Sequence, residues 1–159
     1  MEGHLSHELE VNVPANEVWE VYRGLELGRL VTELLPNLIE KVELVEGDGG
    51  VGTILNVVFP IPPETPAIFT SWKEKFTKID DEKRLKEAEV IEGAFLQLGF
   101  SLYRVTFVIN EKDANSCIIK SMVDYKLDTE SAANASLVST QALELIAQAI
   151  GKYLTDKKN

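Results

Sequence analysis

Polar and apolar residues alternate through the first stretch of the chain. In HLSHELEVNV, Leu5, His7, Leu9, Val11 and Val13 fall on one side and His4, Ser6, Glu8, Glu10 and Asn12 on the other, the period of a strand with one buried face. The period then lengthens. Pro14 suits a first helical position, Val18, Trp19 and Tyr22 share a helix face, and Gly24 closes the segment. Leu27, Leu30, Val31, Leu34 and Leu35 predict a second short helix that ends before Pro36, because proline disfavours helical geometry in the residue preceding it. Strand-like runs return over 39–45, 53–58, 69–79, 84–92, 98–109 and 116–127. From Thr129 to about Leu154 there is no proline, and Ala133, Leu137, Thr140, Leu143, Ile146, Ala147, Ile150 and Leu154 recur at helical spacing. With Asp128 or Thr129 as N-cap, this predicts an amphipathic helix of about 25 residues, roughly 37 Å long.

Seven strands and one long helix make an α+β fold, with the sheet antiparallel and curved around the helix. Such a sheet either fills the space under the helix with large side chains or leaves a hollow. There is no internal repeat and no low-complexity segment; the proline-rich FPIPPETPA, 59–67, reads as a long hairpin connection or a lip. The 159 residues, 45% of them hydrophobic, are expected to form one domain, 1–159, with its own core.

One motif invites a different reading. VEGDGGVGTIL carries Gly47, Gly49 and Gly52 at the G-x-G-x-x-G spacing of dinucleotide sites. That loop binds phosphate only when it opens a helix, whose amides and dipole hold the anion. Here the β-branched TILNVVF follows, so the glycines are expected to serve a hairpin turn by supplying positive φ.

Charge narrows the partners. The formal net charge is -10, with acidic residues scattered rather than clustered, a field that repels polyphosphate and leaves neutral or cationic small molecules free to approach. Nucleic acid is not expected as a partner, nor is a membrane, since no apolar run approaches the roughly 20 residues a span requires. The lone Cys117 leaves stability to packing and suits a reducing compartment, so a cytoplasmic location is expected. Cys117 alternates with Ile119, Ser121, Val123 and Tyr125 and reads as core. His4 and His7 lack partner ligands, so no metal is expected. The sequon Asn134-Ala135-Ser136 lies in a helical pattern and reads as chance.

Candidate chemistry sits on two neighbouring strands. On the first, Trp72, Glu74, Phe76 and Lys78 share a face; after the turn DDEK, Lys86, Ala88 and Val90 face together while Glu87 and Glu89 point away. If Phe76 and Val90 face the interior, so do Glu74 and Lys86. The turn is expected to set Phe76 opposite Lys86 and Glu74 one diagonal step away. A buried acid and a buried amine have pKa values pushed toward those useful in proton transfer. The same spacing also fits a salt bridge, or a register that leaves one of the two in water. On the next strand Ser101, Tyr103, Val105 and Phe107 share the face without Arg104, which brings a phenol to the same space, where a satisfied core tyrosine is the alternative.

The order of elements and a series of strings resemble the birch-pollen-allergen-like, class-ten pathogenesis-related plant proteins, and within them the norcoclaurine synthase and norbelladine synthase branch. The strings are HELEV at His7, ELLPN at Glu33, GDGGVGTIL at Gly47, KEKF at Lys73, EKRLKEA at Glu82, IEGAFLQLGF at Ile91 and SAANASLVST at Ser131. The resemblance implies a helix-grip fold with two short helices closing one end and an internal hydrophobic cavity. It implies condensation of a phenethylamine, tyramine or dopamine, with an aromatic aldehyde to an imine or a ring-closed tetrahydroisoquinoline, without a cofactor. The family's acid-base lysine falls on Lys86 and its glutamate on Glu74, with Tyr103 as an accessory phenol and Trp72, Phe76, Val90, Val105 and Phe107 as substrate-binding wall. The norcoclaurine synthases have a tyrosine at the position of Trp72 and an aspartate at that of Val105; an aliphatic residue at the latter matches the norbelladine type. The alternative function is a defence-related carrier of a small apolar metabolite or hormone in the same cavity, the protein being a monomer or weak dimer in either case.

Overall fold

The structure is a computed structural model and describes residues 1–66 and 70–158; Phe69, the first residue of the third predicted run, and Ala67, the last of the proline-rich stretch, lie outside them. Seven strands form one antiparallel sheet: β1 (Glu2–Val11), β2 (Lys41–Glu46), β3 (Ile54–Val58), β4 (Ser71–Asp80), β5 (Leu85–Gly93), β6 (Phe100–Asp113) and β7 (Ser116–Leu127), in the order β1-β7-β6-β5-β4-β3-β2. Strands β2 to β7 follow one another as hairpins, and β1 closes on β7 with Leu5 opposite Val123 and Val11 opposite Cys117. Between β1 and β2 stand α1 (Ala15–Tyr22) and α2 (Glu26–Leu34).

Each helix buries the face its spacing predicts. Val18, Trp19, Val21 and Tyr22 of α1 and Leu27, Leu30 and Val31 of α2 pack with Ile109 and Ile119 of the sheet and with Ile146, Ala147, Ile150 and Leu154 of the C-terminal helix. The Tyr22 ring meets Phe107 edge-on, with centroids 5.0 Å apart. A second cluster, with Val90, Phe100, Tyr103, Val123, Leu127 and Val138, fills the other end. At the tip of the β4–β5 hairpin, Asp81 accepts from the Trp19 indole at 2.9 Å and from two Arg23 nitrogens at 2.8 and 3.1 Å. This clamp fixes the end of α1 against the hairpin.

The glycine motif is a hairpin turn, as the absence of a following helix required. Gly47, Gly49 and Gly52 have φ of 96°, 104° and 94°, and the chain passes directly from β2 into β3. The Thr53 hydroxyl accepts from the Gly49 amide at 2.8 Å, and Phe76 exchanges backbone bonds of 2.8 Å with Gly52 and Thr53.

The C-terminal helix starts later than its periodicity suggests. Residues Thr129–Leu137 form 3₁₀ turns, Val138 is extended, and the helix, α3, runs over Gln141–Lys158. Serine and asparagine side chains compete for backbone groups and favour turns over helix interiors. Here Asn134 donates to the Leu98 carbonyl at 2.8 Å and the Ser139 hydroxyl accepts from the Gln141 amide at 3.3 Å. Val138, buried among Phe100, Tyr103 and Leu127, draws the backbone toward the sheet. The interior face of β6 also shifts: an irregularity between Phe100 and Leu102 turns Phe100 inward and leaves Ser101 exposed.

The turn glycines separate two costs. A Cβ on Gly47 would sit 2.7 Å from the Thr53 backbone, whereas one on Gly52 would meet nothing within 4 Å. Gly52→Ala is expected to lose about 1 kcal/mol for positive φ alone, and Gly47→Ala about 2–3 kcal/mol, read as urea midpoints at constant m-value.

Candidate active site

Between the sheet, α2 and α3 lies a cavity of about 190 Å³, walled by aliphatic side chains such as Leu27, Val31, Val57 and Ile146. Into this apolar space the sheet projects two ionisable residues and a phenol, Glu74, Lys86 and Tyr103.

Lys86 is 3% exposed. Its Nζ donates to the Tyr22 carbonyl at 3.0 Å and to the Gly24 carbonyl at 3.2 Å, and stands 3.7 Å above the centre of the Phe76 ring. The last carbonyls of a helix have no intrahelical donor and carry the negative end of its dipole, so the end of α1 is a cation site made of backbone. Burial nevertheless lowers the Lys86 pKa to about 8 from 10.5; Glu74 pulls it back up and Arg23 adds to the fall.

Glu74 stands on the same face of the sheet and lines the same cavity. Burial raises its pKa, opposed by a 2.9 Å hydrogen bond from the Trp72 indole N–H and by the field of Lys86. The acid and the amine make no ion pair: no Nζ to carboxylate contact within 4.0 Å joins them. The register explains this. The expected pairing of Phe76 with Lys86 is replaced by Phe76 opposite Ala88 and Ile79 opposite Lys86, because the hairpin turn pairs Asp80 with Leu85 and a bulge follows Phe76. That bulge also moves Lys78 off the interior face, opposite Glu87. Glu74 faces Val90, four residues from Lys86 and roughly 13 Å along the strand; the two charges feel one another across the cavity instead of neutralising one another.

Tyr103 is 5% exposed, stacked on Phe95 at 4.2 Å, and burial pushes its hydroxyl up to about 12. It is a neutral phenol that makes no hydrogen bond to any described residue. Of the other wall residues expected from sequence, Trp72, Val90, Val105 and Phe107 line the cavity. Phe76 lies behind the wall, 1% exposed, with its ring under the Lys86 ammonium. Sequence reasoning missed the two carbonyl acceptors and the ring of Phe95. The carbonyls had a signal: a helix stopping at Gly24 leaves acceptors that a buried amine can satisfy. Cys117 is buried core, as its alternation suggested. His4 contacts Asp124 at 2.7 Å and His7 contacts Glu144 at 3.5 Å; among the described residues no three His, Cys, Asp or Glu gather as a metal site. No helix among them is long and apolar enough to cross a membrane.

A curved sheet gripping a helix over a charged cavity defines a helix-grip protein built around a small-molecule chamber. The chain belongs to the pathogenesis-related protein Bet v 1 family, whose profile matches residues 1–157. It is 50% identical to norbelladine synthase of Narcissus pseudonarcissus, over 100% of this chain and 96% of that one. It is 40% identical to S-norcoclaurine synthase 1 of Papaver somniferum, over 97% of this chain and 66% of that enzyme. The norcoclaurine synthase of Thalictrum flavum in complex with dopamine and hydroxybenzaldehyde superposes with a TM-score of 0.86 at 38% identity, covering 100% of this chain and 90% of that one.

The displaced lysine pKa has a stability signature. Folded protein holds the Lys86 proton less tightly than the unfolded chain, about 8 against 10.5, so the unfolded state binds more protons between those values and stability rises with pH across that window. Below it the buried charge costs up to ~3 kcal/mol. Urea denaturation of Lys86→Met and the parent is expected to show the parent gaining on the variant by up to that amount between about pH 7 and pH 10.5; a pH-independent gap would contradict the burial argument.

Proposed function

We propose that this protein is an alkaloid-type condensing enzyme that joins a phenethylamine, tyramine or dopamine, to an aromatic aldehyde as an imine. The observation that carries the reading is a lysine ammonium, poised near neutrality, in an apolar cavity shared with a glutamate. Full-length similarity to norbelladine synthase supports it.

The amine arrives as an ammonium ion, drawn by a net charge of -10. Glu74 pairs with it and takes one proton, freeing the nitrogen lone pair. That lone pair attacks the aldehyde carbon, and proton shift from nitrogen to oxygen gives a neutral carbinolamine. Lys86 then protonates the hydroxyl, the C–O bond breaks, water leaves, and the nitrogen electrons form C=N. The iminium returns its proton to neutral Lys86, and Glu74 releases its own to solvent. One amine cation and one aldehyde thus give imine, water and one proton. Tyr103 serves as a neutral donor beside the aromatic walls. Val105 places an aliphatic side chain where the ring-closing relatives resemble one another in having an acid, which favours the open imine over cyclisation.

General acid–base help of this kind is worth about 10²- to 10⁴-fold. With tyramine or dopamine and an aromatic aldehyde, Lys86→Met and Glu74→Gln are each expected to lower kcat by that order. The parent rate is expected to fall above about pH 8 as Lys86 loses its proton. Borohydride trapping followed by mass spectrometry distinguishes the secondary amine from a cyclised product. Turnover no faster than in buffer would end the catalytic reading and leave ligand carriage, seen as thermal stabilisation by apolar metabolites.

A further inference from the structure

We propose that Trp72 is a positioning residue for Glu74, its indole N–H holding one carboxylate oxygen so that the other stays free for the ammonium of the substrate amine. The inference rests on the condensing reading above and adds how its acid is aimed.

Trp72 and Glu74 are two residues apart on β4 and share its inner face. The indole Nε1 lies 2.9 Å from Oε1. Glu74 has no other hydrogen-bond or ion-pair partner among the described residues, and the Lys86 ammonium is occupied by Tyr22 and Gly24. A carboxylate in an apolar cavity with one oxygen satisfied and one open is a cation receptor, because a buried anion requires donors. The amine head of the substrate is the donor the cavity lacks.

The indole is well placed to act as a fixed support. Phe59 packs edge-on against it at 5.1 Å, and the tilted rings of Tyr103 and Phe95 lie at 5.8 and 6.1 Å, so three rings hold its plane. An indole donates one hydrogen bond, accepts none and does not ionise in the working range of pH. It therefore cannot exchange a proton with Glu74, and its bond favours the carboxylate over the acid at every pH. A phenol in the same place would accept as well as donate. The Trp72 bond lowers the Glu74 pKa against the larger effect of burial, the direction expected of a donor held on one carboxylate oxygen.

Two variants test this: Trp72→Phe, and replacement of Trp72 by its benzothiophene isostere, which keeps the ring outline and lacks the N–H. Carbon-13 NMR of glutamate-labelled protein follows the Glu74 carboxyl through a pH titration, with and without tyramine. Without the N–H, the midpoint is expected to rise by about one pH unit and tyramine affinity to fall about 10-fold or more. The acid limb of kcat/KM should move upward with the midpoint, while the KM for the aldehyde stays unchanged. An isostere with the parent midpoint, or a parent whose Glu74 resonance ignores tyramine, would overturn the proposal. Because the titration needs no turnover, an inactive parent that still shows both effects would end the condensing reading and leave the positioning role standing; an isostere with parent midpoint in an active enzyme would do the reverse.

Discussion

The arrangement depends on one contact: an ammonium held by the carbonyl end of a helix. Lys86 leaves β5, crosses the ring of Phe76 and ends between the carbonyls of Tyr22 and Gly24. Removing a lysine from water costs several kcal/mol unless something replaces the lost donors' partners. Backbone carbonyls and an aromatic face do this without supplying a full negative charge. A carboxylate partner would have raised the pKa and locked the proton on; carbonyls leave it at about 8, where a proton can be given and recovered at neutral pH.

That contact in turn explains why acid and amine are kept apart. Had Glu74 and Lys86 been adjacent, each would have neutralised the other and the cavity would contain a salt bridge. The pairing of β4 with β5 sets them in rows opposite Val90 and Ile79, and each turns to a neutral partner, the glutamate to an indole and the lysine to peptide oxygens. A chamber with two unneutralised ends suits a reaction that brings in a cation at one place and expels water at another.

Much of this was legible in the order of residues, and the reason is the strictness of the two-residue period. On β5 the alternation puts Glu87 and Glu89 on one face and Ala88 and Val90 on the other, and it carries Lys86 to the inner face with them. The glycine loop was readable for the same reason, since what followed it had a strand's period. Bulges were not legible: one extra residue beyond Phe76 leaves no mark in composition, yet it moves Lys78 outward, while the partner of Lys86 follows from a turn that pairs Asp80 with Leu85. The start of α3 was misjudged because periodicity counts apolar positions only. It ignores that Asn134 and Ser139 bond to backbone and that Val138 has a place in the sheet-side core. Nor does an apolar pattern tell a side chain that fills a core from one that borders a void, which is why Phe76 looked like a wall and is a support.

The Asp81 clamp separates two tasks that many pockets mix. The position of Lys86 is set from outside the chamber, by the end of α1 that Trp19 and Arg23 tie to Asp81 in the outer hairpin turn. The residues that shape the lumen, such as Val57, Val90 and Leu143, take no part in that anchoring. Lumen size and the placement of the ammonium are thereby decoupled: a lineage can recut the chamber for a bulkier ligand, one aliphatic residue at a time, without disturbing the lysine that faces it.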